Sequence, residues 1–315
     1  MAAPVYSVLL KKENAHDAPI YCCAWTQVSL AADSAAAPSD IIVTGDSLGH
    51  IKVWEWKSED NTIELKTVLM DHSLAITSLS ISPDGQTLVS TSMDFTLNIW
   101  DLVAEQRVHK IKAPKVWRAT FSPDGSRIVT GCHSGDLDVY DVASGTVISS
   151  NDTREHFVIA VAWCPKDKYV ASGSTNGAVC VLDSVHFKVT HTFKDHMESI
   201  KNLAFSPNSK LLATSSIDGS VKLYDLIAGK LLHSLQKSSW GMAVCFCPDG
   251  KRLALGTGNG EVMIASTNQL QVLKTFTEHE DSVWQLQFNK KGDRLVSVGK
   301  DQVLIMYECP PLPTK

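Results

Sequence analysis

One spacing recurs seven times along the sequence and restricts the fold more than any other feature. Each copy contains two markers, and each marker ends a short apolar segment. The first markers are large apolar residues: Trp25, Ile81, Phe121, Trp163, Phe205, Phe246 and Phe288. The second markers are mostly aromatic and are usually followed by an acidic residue: Trp54, Trp100, Tyr140, Leu182, Tyr224, Ala265 and Tyr307. In copies two to seven the two markers are always 19 residues apart, so the copies share one local structure.

Turn sequences separate the segments. Ser82-Pro83-Asp84-Gly85 is one of five Pro-containing turns that follow a first marker, and Asn176-Gly177 is one of three hairpin dipeptides further along the copies. Short strands at even spacing, with almost no helical periodicity, indicate a sandwich, a barrel or a propeller. The period of about 42 residues favours four-stranded blades. We therefore predict an all-β, seven-bladed β-propeller.

The copies also predict the domain organisation. Residues 1–309 form one propeller, and residues 310–315 form a flexible tail. In the first copy the markers are 29 residues apart, so we predict a loop insertion at residues 28–39 of blade one. Residues 5–10 resemble an outer strand but have no blade before them. They should complete the last blade and so remove an exposed sheet edge.

Composition excludes several classes of protein. No uncharged apolar run reaches 18 residues, and no signal peptide is evident, so we expect no membrane association. The net charge of -5 and the pI of 6.1 argue against direct nucleic-acid binding. The eight cysteines form no C-x-x-C pair, which indicates buried free thiols in a reducing compartment.

The repeat resembles the WD-repeat family over nearly the whole chain. The resemblance implies a hydrogen-bonded group of His, Ser or Thr, Asp and Trp or Tyr in a blade. The matching residues are His72, Ser90 (or Ser92), Asp94 and Trp100 in blade two, His196, Asp218 and Tyr224 in blade five, and His279, Asp301 and Tyr307 in blade seven. Blade one has His16 and Trp54, but Leu48 occupies the position of the turn Asp. Blades three, four and six have Ser134, Asn176 and Asn259 there, and should depend more on apolar packing.

No motif supports catalysis. The Ser, His and Asp of a blade are expected to be buried, whereas a hydrolase needs an exposed nucleophile. The glycines from Gly256 to Gly260 precede a strand rather than a phosphate-binding helix. We therefore expect no enzyme activity, cofactor or metal. A propeller-class hydrolase or lactonase remains an alternative, and it would need a metal and carboxylates in the central channel.

The register predicts a partner-binding rim at one end of the channel. In each copy the residue four before the first marker should face this rim: Tyr21, Thr77, Trp117, Ile159, Lys201, Met242 and Trp284. Five of the seven are large and apolar, which is unusual for a surface and typical of an interaction site. Met93, Ile217 and Lys300, beside the turn Asp, should border the same rim.

Three segments, residues 11–25, 151–165 and 279–310, resemble the family of WD-repeat subunits of the superkiller complex. The resemblance implies a protein-interaction scaffold that supports exosome-mediated 3′→5′ mRNA decay. Its partners would be a tetratricopeptide scaffold, a DExH-box RNA helicase and, in animals, subunits of the RNA polymerase II-associated factor complex. It also implies a location in the cytoplasm and nucleus, and we expect a monomer in isolation. The alternative is a generic WD-repeat adaptor or a cullin ubiquitin-ligase substrate receptor. The latter commonly has Arg two residues after the W-D pair, where this chain has Val103, Ala143 and Ile227.

Overall fold

The computed structural model describes residues 5–28, 39–153 and 155–312, and every regular element in these ranges is a β-strand. The strands form seven antiparallel sheets of four strands each. The first strand, β1 (Ser7–Lys12), lies in the same sheet as the last three, which are β26 (Val283–Phe288), β27 (Arg294–Gly299) and β28 (Leu304–Glu308). This confirms the seven-bladed β-propeller and its closure by the N-terminal strand.

The other six blades each use four consecutive strands, ordered from the channel outward. Blade one contains β2 (Ile20–Val28), β3 (Ser39–Asp46), β4 (His50–Lys57) and β5 (Thr62–Met70). Blade two contains β6 (Ile76–Ile81), β7 (Thr87–Ser92), β8 (Thr96–Asp101) and β9 (Gln106–Lys112). Blade three contains β10 (Val116–Phe121), β11 (Arg127–Cys132), β12 (Asp136–Asp141) and β13 (Val147–Asp152).

Blades four to six repeat this arrangement. Blade four contains β14 (Val158–Trp163), β15 (Tyr169–Ser174), β16 (Val179–Asp183) and β17 (Val189–Phe193). Blade five contains β18 (Ile200–Phe205), β19 (Leu211–Ser216), β20 (Ser220–Asp225) and β21 (Lys230–Gln236). Blade six contains β22 (Gly241–Phe246), β23 (Arg252–Thr257), β24 (Val262–Ser266) and β25 (Val272–Phe276).

The core lies between neighbouring blades. The second strand of each blade is almost entirely buried because another sheet covers each of its faces, whereas the outer strand β9 alternates between exposed and half-buried residues. The blades approach one another closely at Gly173, where a Cβ atom would lie 2.5 Å from Ile200 Cγ2 of the next blade. Glycine is required at this point since any side chain would push the two blades apart.

Closure of the ring involves a buried arginine as well as β1. Strand β1 pairs with β28 from Ser7 opposite Glu308 to Lys12 opposite Leu304. Arg252, in blade six, is 1% exposed and its Nη1 donates to the carbonyl oxygens of Cys309 and Pro310, both at 2.8 Å. Its Nη2 donates to the carbonyl oxygen of Gly292 at 2.8 Å. Arg252 therefore joins blade six to two parts of blade seven, the turn at Gly292 and the segment after β28.

Two of the segments predicted from the sequence lie partly outside the described residues. Within the insertion predicted at 28–39, Val28 and Ser39 pair with each other, and residues 29–38 lie outside the described residues. Of the tail predicted at 310–315, Pro310 is held by Arg252, and residues 313–315 lie outside the described residues. All eight cysteines are free thiols, and seven of them are buried. The described part of the chain contains no helix long and apolar enough to cross a membrane.

Candidate functional site

One face of the propeller brings together two sets of loops, which we call the upper face. The first set precedes the innermost strand of each blade, and the second is the turn between its second and third strands. A backbone hydrogen bond joins the two sets in every blade. The amides of Met93, Ile217 and Lys300, for example, donate to the carbonyl oxygens of Ala75, Ser199 and Ser282 at 2.9, 3.1 and 2.9 Å. The residues predicted to border the rim therefore lie next to it.

The seven predicted rim residues occupy the same structural position. Each lies at a β-bulge near the start of an innermost strand, where the ladder to the second strand skips a residue: Tyr21, Thr77, Trp117, Ile159, Lys201, Met242 and Trp284. A bulge changes the direction in which a side chain points and is common beside functional sites. Six of the seven are half-buried, so they retain surface at the channel mouth.

Ile159 differs from the other six because it is only 7% exposed and offers little surface. An aromatic residue two positions earlier, Phe157, lies at this part of the rim. Its ring lies 5.4 Å from that of Trp117, in an edge-to-face arrangement, and 4.6 Å from that of His133. The sequence register missed Phe157 since it lies in the loop rather than at the repeated strand position.

The remaining rim aromatics form a second cluster between blades seven and one. The rings of Tyr21 and Trp284 are 4.2 Å apart. On the other side of the channel mouth, Thr91 Oγ1 donates to the backbone carbonyl of Trp117 at 3.0 Å and so fixes the start of that strand. Each aromatic cluster therefore combines side chains from two adjacent blades.

A patch of exposed apolar residues continues outward from the rim over blades one and two. It consists of Leu48, Leu74, Met93 and Phe95, which we call the apolar sector. The turn that carries Leu48 lies against the loop that carries Leu74, because a Cβ at Gly49 would be 2.9 Å from the Leu74 carbonyl oxygen. Ser92 Oγ donates to the same oxygen at 2.8 Å. Contiguous exposed apolar residues of this kind are typical of an interaction surface.

Phe95 is the most unusual member of the apolar sector. It has a φ of +66°, in the left-handed region that glycine adopts at the equivalent turn positions of five other blades, and it is 61% exposed. A bulky side chain is disfavoured there. The fold thus keeps an exposed aromatic ring where glycine would cost less, which favours a role for the ring outside the fold.

The predicted polar group of blade two is assembled around His72. Its Nδ1 lies 3.1 Å from Asp94 Oδ2, and its Nε2 lies 2.7 Å from Ser90 Oγ. The indole of Trp100 donates to the same hydroxyl at 2.8 Å. Burial lowers the pKa of His72 although Asp94 opposes this effect. Ser90 is fully buried, so its hydroxyl is unavailable to a substrate.

Blades five and seven contain the same arrangement. His196 lies 2.8 Å from Asp218 and 2.7 Å from Thr214, and His279 lies 2.8 Å from Asp301. His279 also lies 2.6 Å from Ser297, which is 3.0 Å from the hydroxyl of Tyr307. These distances join the loop before each innermost strand to the turn of the same blade. The polar groups therefore hold the upper face in shape.

Blade one has a complete polar group, although Leu48 occupies the expected position of its turn Asp. Asp46, two residues earlier, supplies the carboxylate, with Oδ2 2.9 Å from His16 Nδ1. His16 Nε2 lies 2.7 Å from Thr44 Oγ1, which also accepts from Trp54 Nε1 at 2.8 Å. The sequence expectation of an incomplete group in blade one was wrong because a carboxylate at a different turn position reaches the same imidazole.

The other three blades differ at the turn, as their sequences indicate. Ser134 donates to Asp136 at 2.5 Å, Asn176 to Glu155 at 2.8 Å, and Thr257 to Asn259 at 2.6 Å. None of these bonds involves a histidine. Over the described ranges, no group of three or more His, Cys, Asp or Glu residues could hold a metal ion.

Comparison with known proteins agrees with this geometry. The family model described as IFT122 first beta-propeller matches residues 115–310, and the WD domain, G-beta repeat model matches residues 63–101. The chain is similar to WD repeat-containing protein SL1-17 of Schistosoma mansoni, with 27% identity over 97% of this chain and 100% of the relative. It is also similar to WD repeat-containing protein VIP3 of Arabidopsis thaliana, with 28% identity over 60% of this chain and 61% of the relative.

Proposed function

The chain belongs to the IFT122 first beta-propeller family of WD-repeat proteins, and we propose that it is a non-catalytic adaptor whose upper face binds a short segment of a larger protein. The observation that carries the proposal is the ring of bulge residues at the channel mouth. Two aromatic clusters, around Trp117 and around Trp284, lie at equivalent positions of different blades. Tryptophan and tyrosine are the side chains most enriched at binding hot spots.

The apolar sector extends this binding surface in one direction. It adjoins the rim through Met93, whose amide donates to the loop that precedes Thr77. A segment that crossed the rim toward blade two would therefore meet the apolar sector next. We infer that the partner presents apolar side chains to the rim and to this sector.

We further propose that the partner is the tetratricopeptide scaffold of a superkiller-type complex, in which a DExH-box RNA helicase also takes part. Subunits of an RNA polymerase II-associated factor complex are the second partners proposed. Residues 11–25, 151–165 and 279–310 support this assignment by their resemblance to that family. The proposal places the protein in the cytoplasm and the nucleus, with a role in mRNA decay and transcription elongation.

Alanine substitutions at the rim test the proposal. Trp284→Ala and Trp117→Ala should each weaken binding of a purified tetratricopeptide scaffold by roughly thirtyfold, because a hot-spot tryptophan contributes about 2 kcal/mol. Isothermal titration calorimetry measures the affinity, and circular dichroism measures the melting temperature, which should stay close to wild type. Lys188→Ala, on the exposed edge beside β17, is the control and should bind normally.

Two results would contradict the rim as the interface. If both tryptophan variants unfold, their side chains serve the core rather than a partner. If they stay folded and bind with wild-type affinity, the partner contacts another surface. Phe95→Gly separates the rim from the apolar sector, since it removes only the exposed ring and suits the left-handed backbone at this turn.

A further inference from the structure

The central channel contains an arginine that pairs with no carboxylate of the described residues. The innermost strands enclose a cavity of about 270 Å³, and Arg118, one residue after the rim residue Trp117, extends into it. Its Nη1 donates to the backbone carbonyl of Lys201 in blade five at 3.3 Å. Its Nη2 donates to Gln285 Oε1 in blade seven at 3.2 Å. The guanidinium therefore crosses the channel, and within the described residues it donates only to neutral oxygens.

These contacts are weak for a charged donor. Charge-assisted hydrogen bonds are usually about 2.7–2.9 Å long, and Gln285 Oε1 must also accept from Asn202 Nδ2 at 3.0 Å. The buried Arg252 provides a comparison within the chain, because its Nε donates to the carboxylate of Asp249 at 2.7 Å. Among the residues that the structure describes, none forms an ion pair with Arg118.

A second cationic residue lies at the rim, and its backbone carbonyl accepts from Arg118 Nη1. Lys201 is a half-buried rim residue, and its ammonium group has no hydrogen bond or ion pair with any part of the chain that is described. Burial lowers the pKa of Lys201. The thiol of Cys23 also lines this cavity, but burial raises its pKa, so it is neutral and cannot offset either cation. The channel mouth is thus a local positive site on a chain whose net charge is -5.

We propose that Arg118 and Lys201 bind a carboxylate of the polypeptide segment held by the rim. This inference rests on the proposed function and specifies the partner's chemistry: an aspartate or glutamate side chain, or a C-terminal carboxylate, that enters the channel between apolar residues. A guanidinium can donate two parallel hydrogen bonds to a carboxylate, which is a stronger arrangement than its present one. A polypeptide is favoured over a small free anion because Trp117 and Trp284 adjoin Arg118 and Gln285 in sequence, and their rings would contact the rest of the segment.

The probe for the test is a library of random 12-residue peptides displayed with free C-termini. Peptides are selected on the wild-type chain, and those that still bind Trp284→Ala are discarded, so that only rim binders remain. We expect the rim binders to share one acidic residue or a requirement for the free carboxylate. Replacing that group by its amide should weaken binding about 10- to 100-fold, since a hydrogen bond to a charged group contributes about 1.5–3 kcal/mol.

Substitutions in the chain assign the loss to the two cations. Arg118→Gln and Lys201→Gln should weaken the acidic peptide to a similar degree and should leave its amide version almost unchanged. Arg118→Lys keeps the charge but not the paired donors, so it should give an intermediate loss and covers the case in which Arg118→Gln fails to fold. Lys210→Gln is the matched control, because it removes the same charge from an exposed turn at the opposite end of blade five.

The outcomes of these experiments distinguish failure of the carboxylate site from failure of the rim as a binding surface. Rim binders that need no carboxylate, or whose carboxylate is insensitive to Arg118 and Lys201, would overturn the carboxylate site and leave the proposed function intact. A selection that yields only peptides insensitive to Trp284→Ala would instead overturn the rim as the binding surface. Coupling between the acidic group and either cation, without coupling to Lys210, supports the site.

Discussion

Arg252 offers the sharpest test of how the ring is held closed, because two other blades have arginine at the same strand position. Arg127 begins β11 and Arg294 begins β27, as Arg252 begins β23. Arg252 is buried and donates to three backbone carbonyls and to Asp249. Arg127 is half-buried, and the two hydrogen bonds of its guanidinium, to the Ser184 carbonyl and to Asp167, are both 3.4 Å long. Identical substitutions at Arg252 and Arg127 therefore compare burial directly.

We expect Arg252→Leu to lower the free energy of unfolding by about 3–5 kcal/mol, because it leaves Asp249 and three carbonyls of the closing segment without their donor. Arg127→Leu should cost about 1 kcal/mol, the sum of a weak surface ion pair and the stacking of its guanidinium on Trp163. Arg252→Lys should fall between them, since one ammonium cannot replace a planar set of five donors.

Equilibrium unfolding in urea, followed by tryptophan fluorescence, measures these differences as shifts of the midpoint at constant slope. If Arg252→Leu is no more destabilising than Arg127→Leu, the buried hydrogen bonds of Arg252 do not hold the ring closed. If Arg252→Lys is as stable as wild type, the directional bonds to Cys309, Pro310 and Gly292 contribute nothing beyond charge.

Three further predictions concern closure, the polar groups and pH. Deleting residues 1–12 removes β1 and leaves β28 as an open edge, so the chain should aggregate and melt at a lower temperature. A truncated chain as soluble and stable as the parent would contradict the closure by β1. Asp94→Ala should lower the free energy of unfolding in urea by about 1–3 kcal/mol, because His72 and Thr96 lose an acceptor. Asp84→Ala, in an exposed turn, should lower it by less than about 1 kcal/mol. Equal losses of unfolding free energy would show that the polar group does not hold the blade. Burial lowers the pKa of His16, His72 and His196. Below about pH 6.5 the unfolded chain therefore takes up protons that the folded chain does not. The free energy of unfolding should fall from pH 7 to pH 5. Burial raises the pKa of Asp218, but hydrogen bonds from Ser220 and His196 outweigh this effect and lower the pKa to about 2. A second loss of unfolding free energy should therefore follow as the pH falls from about 4 to 2. An unfolding free energy that is constant over both pH intervals would contradict these assignments.

The sequence was sufficient to predict the architecture because a propeller repeats one local rule. A fixed interval between strand ends places equivalent residues at equivalent points, and the rim positions from Tyr21 to Trp284 all fall at the same bulge. The same rule placed Asp94, Asp218 and Asp301 beside the histidines of their blades. Whether the rim binds a partner stays a prediction.

The rule was insufficient where a residue acts outside its own blade or outside its repeat position. Asp46 reaches His16 from a shifted turn position, and Phe157 lies at the rim from a loop. Arg118 meets a partner 167 residues away and Arg252 one 58 residues away. A spacing pattern places each arginine on a strand, but only the closed ring determines which distant atoms it meets.

The pairing of β1 with β28 also sets an order of events during synthesis. Strand β1 is made first, yet its partner begins only at Leu304. At about 5–20 residues per second, the ribosome needs roughly 15–60 s to produce the intervening chain. Throughout that interval β1 has no partner strand, although blades one to six each form from consecutive strands and can assemble as they emerge. The last blade is therefore completed only after almost the whole chain has been made, and until then the nascent protein has an unpaired strand that chaperones or other strands could capture.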